Sequence, residues 1–362
     1  MNKTHYIIPI FVPHEGCPHN CVFCNQDSIT GNTVKVNGNY TRKIIEEYLQ
    51  TIPSENSTIE VSFFGGTFTA IPLDKQKELL SVAKIYKDIG RIQHIRLSTR
   101  PDYIDEAILT NLKAYGVDII ELGIQSMNEE VLKLSGRGNS KEEAVIASKL
   151  IKKFNITLGH QIMLGLPGDN FIRDIETVME IIKLEPELCR IYPSLVIKNT
   201  PMEKMYYLGS YKPYTLEEAV NISKRIYAKL VCNNIKVIRI GLQPTEEINV
   251  DREIVAGPFH PAFRELVEGS ILNDMLKEEL KNFNEENLQV SINSKDISKL
   301  YCNKKIFFND NIGQFNTIKV KVTTDNNLLR GEMMYKSRDY CKKVSVFEYM
   351  LKKDKGGYFD NL

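Results

Sequence analysis

The 362-residue sequence has no tryptophan and no apolar run near the roughly 18 residues that a membrane helix requires, so no membrane span is expected. Its opening stretch, MNKTHYIIPIFVPHEG, lacks a small-residue cleavage site after the short apolar segment, and no secretory leader is expected either. Excess charge is also missing. Lys and Arg number 47 against 46 Asp and Glu, a formal net charge of +1, which excludes a broadly basic nucleic-acid coat. Cysteine is scarce and odd in number, at seven, which argues against a disulfide framework and for a reducing, cytoplasmic setting. Apolar residues are not lacking: at 42% they supply a large core and exclude a wholly disordered chain. A chain of this length suggests two domains, or one α/β barrel with an appendage.

Short β-branched runs alternate with amphipathic segments through the first two-thirds. Strands are expected at Tyr6–Pro13, Thr58–Phe64, His94–Ser98, Asp118–Ile124, Thr157–Leu164, Leu188–Val196 and Ile235–Ile240. Helices are expected at Arg42–Thr51, Leu73–Ile89, Asp102–Tyr115, Lys141–Phe154, Ile172–Leu184 and Leu216–Asn233, with Ser140 a candidate N-cap. Repeated strand–helix units predict a parallel sheet with right-handed crossovers. The expected fold is therefore α/β, a partial or complete (β/α) TIM-like barrel over residues 1–245. A small α+β domain is expected over 246–362, with a helix from Ala262 to about Phe283, β-type pieces at Gln289–Ile292, Lys304–Phe308 and Thr317–Val322, and a last helix near Val344–Lys353. Residues 295–362 hold 14 Lys and Arg against 8 Asp and Glu, or +6, and the preceding 294 residues carry the compensating −5. The neutral total conceals a dipolar chain.

In such barrels chemistry sits on the loops after the strand C-termini. Cys17–Cys24, Gly65-Gly66-Thr67, Thr99-Arg100-Pro101-Asp102, Gln125-Ser126 and Gly165–Gly168 all fall there. Cys17, Cys21 and Cys24 form a C-x3-C-x2-C loop. Three thiolates from one loop can hold three irons of a cubane and leave the fourth open. With His14 or His19 as a fourth ligand, a structural zinc is the alternative. Gly65-Gly66 brings bare backbone within reach of a ligand, or makes an ordinary turn. Gln125 ends the fourth strand as a rim ligand or a cap. Arg137, in a Gly-rich turn, is a carboxylate-binding or a solvated guanidinium.

The three-cysteine loop, with Phe23 before its last Cys and a Gly-Gly-Thr after the next strand, resembles the radical S-adenosylmethionine (SAM) superfamily. FFGGTF (63–68), TRPDYI (99–104), ELGIQS (121–126), VLKLSGRGN (131–139), GHQIMLGLPGD (159–169) and RIYPSLVIKNTPMEKMYYLGSYKPYT (190–215) resemble the radical core of the Elongator catalytic subunit, a transfer-RNA wobble-uridine modifying enzyme. A more distant likeness is to oxygen-independent coproporphyrinogen oxidases. The resemblance implies that Cys17, Cys21 and Cys24 ligate a [4Fe-4S] cluster whose open iron chelates SAM. It also implies that one-electron cleavage of SAM yields a radical that abstracts a substrate hydrogen. Gly65, Gly66 and Thr67 would then hold the SAM amino group, Gln125 its ribose and Arg137 its carboxylate, with Arg100 a further contact. A flavodoxin- or ferredoxin-type reductant and a tRNA substrate are the implied partners.

Two departures stand out: Ser98 replaces a Glu that this family places before Thr-Arg-Pro-Asp, and Asn139 replaces a His after Gly-Arg-Gly. The acetyltransferase domain of the Elongator subunit has no recognisable counterpart here, so its complete reaction does not transfer. Arg190, Tyr192 and Lys198 are further rim candidates, as are Gln243–Glu247 and a His260–Arg264 pair. Tyr301, Phe307, Phe308, Phe315, Tyr335 and Tyr340 lie among the lysines of the basic tail, which would bind RNA by phosphate contacts plus stacking or else form a solvated, Lys-rich small domain. Two other functions stay open: radical modification of a small molecule or peptide, and a non-catalytic zinc-stabilised nucleic-acid-binding module. No single catalytic residue is assigned.

Overall fold

The computed structural model describes residues 4–12, 19–25, 36–53, 55–242 and 252–360. All seven expected strands form: β1 (Thr4–Val12), β2 (Ser57–Gly65), β3 (His94–Thr99), β4 (Ile119–Gln125), β5 (Thr157–Leu164), β6 (Leu188–Pro193) and, after a two-residue β7 (Val196–Ile197), β8 (Lys236–Ile240). The sheet order is β1-β2-β3-β4-β5-β6-β8, and each pair from β1 to β6 is parallel. Helices intervene at Gly38–Thr51, Leu73–Asp88, Glu106–Ala114, Lys141–Lys153 and Phe171–Leu184, as the apolar periodicity requires. Ser140 caps its helix in a full capping box with Glu143. Two short helices, Glu129–Leu134 and Pro201–Tyr207, are not legible from periodicity because each is under two turns.

Strand alternation gives the sheet two unlike faces. Ile8, Ile10, Val61, Phe63, Ile95, Leu97, Ile120 and Leu122 are buried as an apolar layer. The opposite parity carries Glu60, Arg96, Glu121, Gln161 and Arg190. These are not rim residues in water but a buried ionic chain. Arg96 Nε stands 2.8 Å from Glu60, Arg96 also reaches Glu121, and Arg190 Nε stands 2.7 Å from the same Glu121 carboxylate. Gln161 donates to Glu121 at 2.9 Å and faces Ser98 at 3.4 Å. Burial alone would raise the Glu121 pKa; Arg190 and Arg96 outweigh it and hold the carboxylate below its ordinary range.

The chain forms two compact units, Met1–Pro213 with Pro244–Gly257, and Tyr214–Gln243 with Pro258–Leu362. In the first, β7 pairs antiparallel with β9 (Ile254–Ala256). In the second, helices Leu216–Cys232 and Phe263–Lys281 accompany a four-stranded sheet. Its strands are β10 (Asn287–Ile292), β11 (Lys319–Thr324), β12 (Glu332–Lys336) and β13 (Cys341–Ser345), in the order β11-β10-β12-β13. A final helix, Val346–Lys355, follows.

Two expectations for this region are corrected. Lys304–Phe308 is helical, entering Ile306–Gln314 through left-handed Lys304 and Lys305. Its Ile-Phe-Phe run serves a helix because Phe308 and Ile312, four apart, pack together on the second unit's core. The tail aromatics are also not a free stacking surface. Tyr335 is fully buried, and Tyr301, Phe308, Phe315 and Tyr340 pack against the same core.

Candidate functional site

The site is built on the ends of β1 to β5. Cys17 and His14 lie outside the described residues, as does Gln243–Glu247. Cys21 is buried and Cys24 half-buried, joined by a Cys24 N–H donating to the Cys21 carbonyl at 3.0 Å. The loop carrying them rests on the Gly136-Arg137-Gly138 turn, where the Val22 N–H donates to the Ser135 carbonyl at 3.0 Å. Both glycines have positive φ, and a Cβ on Gly138 would stand 2.4 Å from His19 Nδ1. The turn must be Gly-x-Gly because the loop lies flat upon it.

Two guanidiniums converge on the Cys21 sulfur, Arg137 Nη1 at 3.5 Å and Arg100 Nη1 at 3.7 Å. Both side chains are buried, and each is anchored elsewhere. Arg137 donates to the Gly123 carbonyl, and Arg100 to the Arg137 carbonyl. Asp102 grips Arg100 as a bidentate fork, 2.9 Å on each arm. It also stands 3.2 Å from His19 Nε2. One carboxylate thus connects the TRPD turn to the cysteine loop. Burial pulls the Arg137 pKa below its ordinary value, against the opposing pull of the Cys21 sulfur. Asn139 does leave its turn without an imidazole, yet His19 brings one to the same place from the loop side.

Gly65 and Gly66 follow β2. Gly65 has φ +120°, and a Cβ there would stand 2.1 Å from the Val12 carbonyl oxygen, so β1 and β2 approach closely only with glycine. Gly66, Thr67, Phe64 and Ser98 help line a shallow concavity. Gln125 sits at a register shift in β4 with φ +69°, a conformation rare for a side-chain-bearing residue and typical of functional strain. Its Oε1 is buried with no hydrogen-bond partner among the described residues, as is Arg137 Nε. A deeply buried, unpaired acceptor and donor are costly unless something else satisfies them.

The structure brings Cys21, Arg100 and Arg137 into contact and sets Gly65 at the end of β2, in the strand beside β1. Arg190 is committed to Glu121; its Nη1 reaches the half-exposed Tyr192 hydroxyl at 3.4 Å. Lys198 is exposed, and its carbonyl accepts from the Asn25 side chain at 2.7 Å. His260 and Arg264 each bond elsewhere, His260 Nδ1 accepting the Ala262 N–H and Arg264 pairing with Glu268. Asp102 was missed as a site residue, and His19 was weighed only as a zinc ligand; the TRPD and CPHNC motifs contain them, but only the fold shows that they meet. Among the described residues no three His, Cys, Asp or Glu side chains form a metal-sized group.

An α/β half-barrel with a cysteine loop after its first strand and buried guanidiniums at the sulfur defines the class: a (β/α)-barrel scaffold with its site at the strand ends. The Radical SAM superfamily profile matches residues 11–182 and the Radical_SAM C-terminal domain profile residues 186–273. The chain belongs to the radical SAM superfamily and is a radical SAM enzyme. It is 29% identical over 267 residues to a tRNA uridine(34) acetyltransferase of Methanocaldococcus infernus, covering 62% of this chain and 49% of that protein. It is 32% identical over 232 residues to the uncharacterized protein MJ0486 of Methanocaldococcus jannaschii, covering 60% of this chain and 67% of that one. Human Elongator complex protein 3 is 26% identical over 208 residues, covering 52% and 38%. The chain spans about half the length of the tRNA uridine acetyltransferase it matches. The solved structure of M. infernus Elp3 with an N-terminal deletion shares the fold, with a TM-score of 0.60 at 24% identity, covering 76% of this chain and 64% of that one. The superfamily implies a [4Fe-4S] cluster and SAM in general terms.

The residues present fit that pair of cofactors. Guanidiniums beside a buried sulfur complement the negative charge that an iron–thiolate unit carries. An unpaired amide oxygen and an unpaired guanidinium N–H suit a polar ligand bearing hydroxyl and carboxylate groups.

Proposed function

We propose that this enzyme binds a [4Fe-4S] cluster through Cys17, Cys21 and Cys24, holds SAM at the ends of β2 to β4, and modifies a nucleoside of transfer RNA. When bound, these cofactors supply reductive cleavage of SAM and abstraction of a substrate hydrogen. The chain's own residues bind and orient. Arg100 and Arg137 stabilise negative charge around Cys21. Gly65, Gly66 and Thr67 offer backbone and hydroxyl groups to the SAM amino group, Gln125 Oε1 accepts from a ribose hydroxyl, and Arg137 Nε donates to a carboxylate. A flavodoxin- or ferredoxin-type protein supplies the electron.

The observation that carries this reading is the convergence of Arg100 and Arg137, from two separate turns of the chain, on one buried cysteine sulfur. The RNA half is supported by the relatives named for tRNA uridine modification. Anaerobic reconstitution tests the first half. About four irons per chain and 5′-deoxyadenosine release from SAM with dithionite are expected, both lost in a Cys17→Ala, Cys21→Ala, Cys24→Ala variant. A colourless protein holding one zinc would overturn it. Nucleoside profiles of tRNA from cells with and without the gene test the second half, and identical profiles would remove it.

A further inference from the structure

Residues 274–362 lie beyond both superfamily profiles, so the site chemistry says nothing of what they do. Their sheet has one committed face. Leu288, Val290, Ile292, Val320, Val322, Met333, Tyr335 and Val344 pack into the second unit's core. The pairing register fixes what the other face carries. Lys321, Gln289, Lys336 and Cys341 form one row across β11, β10, β12 and β13; Thr323, Ser291, Met334 and Lys343 form the next. Lys319 lies two residues before Lys321 on the same side. Side-chain bonds from Gln289 to Thr323 at 3.3 Å and between Ser291 and Thr323 at 3.0 Å confirm the shared face.

Four lysines therefore stand against one acid, Glu332, on an open polar face. Glu332 is taken by Lys343 at 3.0 Å. Lys319, Lys321 and Lys336 are exposed and form no ion pair among the described residues. Strand geometry spaces Lys319 and Lys321 by about 7 Å, and Lys321 and Lys336 by about 10 Å. These gaps are near a Debye length at physiological salt, so their fields add. None of the strand residues on this face is aromatic. That combination suits a phosphodiester backbone and gives nothing for base stacking or for an apolar protein partner.

We infer that the open face of the β11-β10-β12-β13 sheet is an RNA backbone docking surface, with Lys319, Lys321 and Lys336 as its phosphate contacts. The inference rests on the tRNA reading of the site and extends it to a separate part of the chain. The test is binding of unfractionated tRNA to the full-length protein as salt is varied. Removing these three phosphate-binding lysines should reduce the slope of log K against log salt by about 2 to 3. Lys319→Glu, Lys321→Glu, Lys336→Glu should show that reduction, and the triple Gln variant, which changes charge less, should show it too. The triple Arg variant should bind as the natural sequence does. SAM cleavage in the absence of RNA should be unchanged in all three, since these lysines take no part in it. If the natural protein binds tRNA and the Glu and Gln variants keep its slope, the surface is wrong and the tRNA reading stands. If the natural protein binds no tRNA at all, both fall.

Discussion

At the residue scale, the site depends on what fixes the cysteine loop as well as on the three cysteines. Asp102 holds Arg100 in a fork and His19 at 3.2 Å, so one carboxylate serves the loop and the guanidinium at Cys21. Asp102→Ala should weaken retention of iron by about 10-fold or more, the usual cost of removing a group that orients a metal ligand. The rate of iron loss to a chelator in the reconstituted protein would measure it; an unchanged rate would show that Asp102 is dispensable. Gly138→Ala should act at the same point, since its methyl would overlap the His19 ring and its φ of +70° strains any other residue. Iron content after reconstitution should fall while the melting transition moves little. Equal iron in both proteins would contradict the loop packing described. Neither effect was legible in the motifs alone, because spacing names the residues and says nothing of which ones touch.

At the scale of elements, strand parity separates an apolar face from an ionic one, and each face yields a measurement. Glu121 is shared by Arg96 and Arg190, so Glu121→Ala leaves two buried guanidiniums short of a carboxylate. It should cost about 3–5 kcal/mol in denaturant unfolding. A loss below about 1 kcal/mol would mean that water enters the chain of charges. On the other face, His160 of β5 is buried with Nε2 at 2.9 Å from Ser148, and burial pushes its pKa down to about 3. Its sign is definite. Between about pH 6.5 and 3 the unfolded imidazole carries a proton that the folded one refuses, so the unfolded state binds more protons and stability falls as pH falls. Buried Asp169 works the other way: burial raises it to about 6, so the folded state takes its proton first and gains stability as pH falls toward 4. The comparison of His160→Leu with the natural protein isolates the imidazole. Ser148 still donates to the Ala144 carbonyl at 2.7 Å in that variant, and its stability should decline less steeply from pH 6.5 to 4.5. Parallel pH profiles would refute the assignment.

At the scale of the whole molecule, the overall charge of +1 is the sum of two unlike regions. The excess positive charge of the last 68 residues is partly placed by the second sheet on one open face. No described helix is long and apolar enough to cross a membrane. Helix Leu216–Cys232 and β8 complete the series of strand–helix units, yet they count with the second compact unit, whose core includes Ala228. Sequence periodicity marks such a unit as another barrel repeat and carries no record of which neighbours its helix will have.

The sequence by itself determined the strands and most helices, because burial on one face imposes a period that survives in a single chain. It determined the cysteine spacing and the charge asymmetry too, since each is a property of the chain itself. Tertiary structure decided the rest. It turned Arg190 from a rim candidate into an internal ion pair and drew Tyr301, Phe308, Phe315, Tyr335 and Tyr340 into a core. It also made Lys304–Phe308 enter a helix, brought Arg100 and Arg137 to one sulfur, and set Asp102 between Arg100 and His19. These outcomes depend on contacts between residues up to 116 positions apart, as Cys21 and Arg137 are, and no local pattern records such a meeting.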